Sequence, residues 1–112
     1  MSIKPKVVNI KKQNYTTFHM RINNGSNEDI EGYISYKVTM PNGEEKIVEY
    51  NRTERIMANS EINLYDKFYI EKNAQLGRYW VDGRFFWDNQ NILSDTNEND
   101  FFDVIEEEIW KN

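Results

Sequence analysis

The chain carries one histidine, His19, and no cysteine, so disulfides, thiolate metal sites and a cysteine nucleophile are all outside its repertoire. His19 alternates with Phe18 and Met20, which sets it on the solvent side of a strand. A general base needs an orienting neighbour and a reacting pocket, and a lone strand histidine brings neither. The chain has no Gly-x-Ser-x-Gly elbow and no glycine-rich phosphate loop. Carboxylates are plentiful, yet a small domain rarely encloses a cleft deep enough to drive two of them to different acidities. These features predict a protein that is not an enzyme and needs no cofactor.

One spacing does match an ion site. Asp95, Asn97, Asn99 and Glu106 stand at positions one, three, five and twelve of an EF-hand calcium loop, and oxygen ligands suit a hard cation. The sixth position should be glycine for the sharp turn, and here it is Asp100. Upstream, Phe85 to Trp87 and Ile92 read as strand where a helix should stand. This weak calcium candidate competes with a solvated loop leading into the last strand.

The stronger signal is aromatic: rings make up 14% of the chain, enough for a thin core built from large side chains with rings left over. In the stretch Leu76–Trp87, inward-pointing Tyr79, Val81 and Phe85 leave Trp80, Asp82, Arg84 and Phe86 outward. Phe101 joins them from the last strand, and Tyr33, Ser35 and Lys37 from the third. The expected protein-binding residues are therefore Tyr33, Lys37, Trp80, Arg84, Phe86 and Phe101. Rings interleaved with Arg and Asp have the makeup of interface hot spots. The same contacts would also stabilise a wet sheet face by roughly 0.5–1 kcal/mol each.

The elements that must position these residues are strands. Apolar residues recur at period two between clusters of Asn, Gly, Asp and Pro, with no repeat or linker dividing the chain. A short first strand is expected over residues 6–11 and a second over 15–23, with Phe18, Met20 and Ile22 on one face. Asn23 to Asp29 forms a loop. A third strand over 30–40 ends at Pro41-Asn42-Gly43, where Asn-Gly supplies the positive φ of a tight hairpin. Further strands are expected near 46–50, 55–58 and 62–70, then from Tyr79 to Trp87. A turn at Asp88–Asn91 leads to a last strand over 101–105. A helix over the acidic C-terminal end is the alternative, with Asp100 as its cap. The expected organisation is one domain over residues 1–106 and an acidic tail over 107–112.

Leu76-Gly77-Arg78-Tyr79 opening a strand resembles the tyrosine corner of immunoglobulin-like and fibronectin-type sandwiches. The asparagine-rich loop after the second strand and the Pro-Asn-Gly hairpin after the third extend the likeness. From Val7 to about Glu106 the order resembles the prokaryotic CARDB and fibronectin type III-like sandwich modules. The resemblance implies an all-β fold, a single antiparallel immunoglobulin-like β-sandwich of about seven strands. It gives Tyr79 the corner role, Gly77 the tight approach and Leu76 the closing of the core beneath. The Cys-Trp-Cys set of antibody domains is missing.

Such modules imply binding, adhesion or spacing, although fold is a poor guide to function. The expected role is a non-enzymatic protein-interaction or structural module, binding a protein partner or itself through the aromatic sheet face. Two alternatives stand beside it. One is an inhibitor of an intracellular hydrolase acting through the loops 23–29, 51–54 or 72–76, and the other is a carbohydrate-binding module. The net charge of −5, with acid concentrated near the C-terminus, argues against nucleic acid. No apolar run is long enough to span a membrane and the first residues are polar, so a cytoplasmic location is expected, or an extracellular one if a leader has been lost. Sequons at Asn14, Asn24 and Asn51 matter only in a secreted eukaryotic setting.

Overall fold

A computed structural model describes residues 1–50, 53–89 and 92–108, and of 88, 89 and 92–97 the backbone alone. Among the described residues nine strands follow one another: β1 (Ser2–Lys4), β2 (Val7–Asn9), β3 (Tyr15–Asn24), β4 (Ile30–Thr39), β5 (Glu45–Glu49), β6 (Glu54–Ile56), β7 (Ser60–Tyr69), β8 (Gly77–Asn89) and β9 (Ile92–Ile105). They form two sheets. The smaller has the order β1-β3-β7; the larger runs β2-β9-β8-β4-β5, with β6 also paired to β4. Among the described residues there is no helix, and so none long and apolar enough to cross a membrane.

Period-two alternation explains how the sheets meet. Phe18, Met20 and Ile22 of β3 and Leu64 of β7 turn their side chains to one face, and all four are buried. From the larger sheet Ile34, Tyr36, Val38, Val81, Phe85 and Phe102 meet them. Phe18 joins the two layers, its ring 4.9 Å from that of Tyr36 and 6.1 Å from that of Phe102. Burying one such side chain is worth roughly 1.5–3 kcal/mol, which makes this shared layer the main source of cohesion. A polar contact crosses the same layer: the Tyr36 hydroxyl donates to Asp66 at 3.1 Å.

Four expectations need correction. Among the described residues there are nine strands where about seven were expected, and two of them, β1 and β2, flank Pro5 in place of the single first strand expected over 6–11. Proline has no N–H to give a ladder. The three-residue β1 pairs with β3, and β2 crosses to the other sheet. The two sheets are not wholly antiparallel either, since β2 pairs with β9 in parallel. Leu76 does not close the core, being 50% exposed. The last hairpin also differs from expectation. Asp88 and Asn89 belong to β8, and β9 starts at Ile92, so the polar run from Ser94 to Asp100 is strand rather than loop. Alternate residues of the run bond to β8 in the ladder, which overrides the low strand propensity of Asn and Asp.

Candidate functional site

The outer face of the larger sheet is built by the registers of three strands. Tyr33 of β4 lies opposite Phe86 of β8, Ser35 opposite Arg84, Lys37 opposite Asp82, and Thr39 opposite Trp80. On the other side of β8, Trp80 faces Phe101 and Asp82 faces Asn99. Directly paired residues share a face, so Tyr33, Lys37, Trp80, Arg84, Phe86 and Phe101 come together on one surface. Trp80 is 53% exposed and Tyr33 42%, whereas the other four are half-buried.

The rings form two pairs at opposite ends of this face. Tyr33 and Phe86 stack with centroids 5.3 Å apart, and Trp80 leans on Phe101 at 5.4 Å. Between them Lys37, Asp82 and Arg84 make a charged middle. Arg84 approaches Asp82 at 3.5 Å, and the second oxygen of Asp82 is buried without a hydrogen-bond partner among the described residues. Such an oxygen costs stability, and strand packing gives no reason for it.

Residues beyond the expected six complete the surface. Arg78 lies 4.0 Å from the Phe101 ring centre and 5.8 Å from that of Trp80. Two bonds to Asp103, at 2.9 and 3.2 Å, fix its plane. The Arg78 bond holds the Asp103 carboxyl below its ordinary value, and the same contact raises Arg78. Lys6 covers Phe101 at 4.2 Å and pairs with Asp100. Val7 and Ile47, opposite Asp103 and Lys37, add exposed apolar area. Arg78 could have been read from its place two residues before Trp80. Val7 and Ile47 could not, because their ladder partners are set by tertiary pairing.

The calcium spacing does not make an ion site. Asp95, Asn97 and Asn99 lie along the extended strand β9, and Glu106 follows its end. A strand advances roughly 3.3 Å per residue, so residues 95 and 106 are about 35 Å apart and cannot wrap one ion. Among the described residues no three His, Asp or Glu side chains group so as to hold a metal.

His19 sits on the outer face of the smaller sheet, and there it has company that the sequence does not announce. Its ring stacks on Tyr65 at 4.4 Å, with nitrogens 2.9 Å from the Asn63 amide oxygen and 3.3 Å from the Ser2 hydroxyl. These partners hold the ring in place. At the corner the Tyr79 hydroxyl donates to the Gln75 carbonyl at 2.7 Å, and burial pushes the Tyr79 phenol up. Gly77 takes φ of +128°, and a Cβ there would come within 3.2 Å of Pro41. Of the loops, 23–29 and 72–76 are described, whereas Asn51 and Arg52 lie outside the described residues. Neither a family model nor a curated protein matches the chain.

Proposed function

We propose that this chain is a non-enzymatic interaction module, an immunoglobulin-like sandwich that holds a protein partner, or a second copy of itself, on the outer face of its larger sheet. The observation that carries the reading is the pairing of Tyr33 with Phe86 and of Trp80 with Phe101 around Lys37, Asp82 and Arg84. Aromatic and Arg anchors dominate binding energy where a partner can desolvate them. Arg78 and Trp80 are pre-set by their neighbours, so less side-chain freedom is lost on docking. The likeness to CARDB and fibronectin type III-like modules rests on the Tyr79–Gln75 bond and on two facing sheets.

The test compares the wild-type chain with a Trp80→Ala/Phe86→Ala double variant, each immobilised and offered the lysate of the source cell. The reading expects a protein, or the chain's own copies, held by the wild type and lost by the variant, with both proteins folded by circular dichroism. No capture at all, or equal capture by both, overturns it.

A further inference from the structure

Most edges of the two sheets are blunted. β1 and β6 are three residues long and the five-residue β5 carries Glu45, Lys46 and Glu49; β2 covers only Asp103, Val104 and Ile105 of β9, and the rest of that edge is a run rich in Asp, Asn and Glu in sequence. Short or charged edges resist pairing with another chain. β7 differs: it runs for ten residues, and among the described residues no strand pairs with its outer edge.

Which backbone groups that edge presents follows from parity. The Ile70 N–H donates to the Asn14 carbonyl, so even-numbered residues turn toward β3. The Lys67 carbonyl instead accepts from the Tyr50 hydroxyl at 2.8 Å, on the opposite side. In an antiparallel ladder both polar groups of a residue point the same way. Glu61, Asn63, Tyr65 and Lys67 therefore aim their N–H and C=O groups outward. The side chains of these four residues lie on the solvent face of the smaller sheet.

From this geometry we infer that β7 pairs antiparallel with β7 of a second copy about a two-fold axis at Leu64, joining two small sheets into one continuous sheet. Hydrogen-bonded pairing requires odd residues to face odd residues, which leaves a few registers. The one centred at Leu64 sets Glu61 opposite Lys67 of the other copy, twice by symmetry, and Asn63 opposite Tyr65. A shift by one step in either direction loses both charge pairs. Among the described residues the ion pair of Glu61 is with Arg21 at 3.6 Å, an exposed contact worth little, and Tyr65 is 66% exposed. The Lys67 carbonyl has two lone pairs, so it can keep Tyr50 and accept the incoming N–H. This surface lies apart from the face assigned to the partner and leaves that face free in both copies.

Charge reversal tests the register. Glu61→Lys and Lys67→Glu each turn both cross-strand pairs into like charges and should weaken self-association about tenfold in sedimentation equilibrium. Mixed in equal amounts, the two variants meet as Lys opposite Glu at every position, so the mixture should regain the wild-type dimer as a heterodimer. The Trp80→Ala/Phe86→Ala variant should still dimerise. A wild type that stays monomeric overturns the inference, as does association unchanged in both single variants or not restored in the mixture. Association that survives Lys67→Glu but is lost in the Trp80→Ala/Phe86→Ala variant also overturns it, and assigns the contact to the larger-sheet face instead.

Discussion

Tyr79 shows how much one hydroxyl can do. Its ring stacks on Phe102 at 4.9 Å in the core, while its oxygen reaches back to the Gln75 carbonyl and ties the 70–76 connection to the head of β8. Tyr79→Phe keeps the ring and removes only the bond, leaving that carbonyl unpaired. The expected loss is about 1 kcal/mol, read as a lower urea midpoint with an unchanged slope. This role was legible in Leu76-Gly77-Arg78-Tyr79 because the motif is local and Gly77 marks its backbone. Leu76 was not legible, since an exposed leucine and a buried one look alike in sequence.

Between elements, two side chains in one loop region join β3, β4 and β6. The buried amide of Asn24 donates to the carbonyls of Glu28, Ile56 and Met57, and its oxygen accepts from Ser26. Asp29 accepts from the Ala58 N–H and from Arg55, each at 2.8 Å. The Ala58 bond first, and Arg55 second, hold the Asp29 carboxyl below its ordinary value. In the unfolded chain Asp29 holds its proton to higher pH. Its contribution is therefore complete above the unfolded-state value and lost as pH falls through the folded one. Asp103, lowered by Arg78, acts in the same sense. An Asp29→Asn/Asp103→Asn variant should melt below the wild type at neutral pH, and the two curves of melting temperature against pH should converge in acid. Parallel curves down to the acid limit would contradict this. The loop itself was readable from its Asn, Gly and Ser residues, but nothing local shows that Asp29 meets Ala58 and Arg55.

For the molecule as a whole, the divided first strand adds to the shared core by placing one short piece in each sheet. Ile3 of β1 packs with the smaller sheet and Val8 of β2 with the larger, and both are 1% exposed. Trp80 and Trp87 sit in the larger sheet and report on it by fluorescence. Ile3→Ala, across the core from both, should nevertheless cost about 2–5 kcal/mol and shift the tryptophan and circular dichroism transitions together. Separate transitions would mean that the sheets unfold independently.

Period-two alternation and turn chemistry alone determined the strands from β3 to β8, their inward residues and the outward set around Trp80, because side-chain direction in a strand depends only on parity. Tertiary pairing decided the rest. It carried β9 through a run of Asn and Asp, put β1 and β2 into different sheets, and left one edge of β7 without a strand partner among the described residues. Those outcomes depend on which distant backbone supplies a hydrogen-bond partner, and no short window of sequence contains that partner.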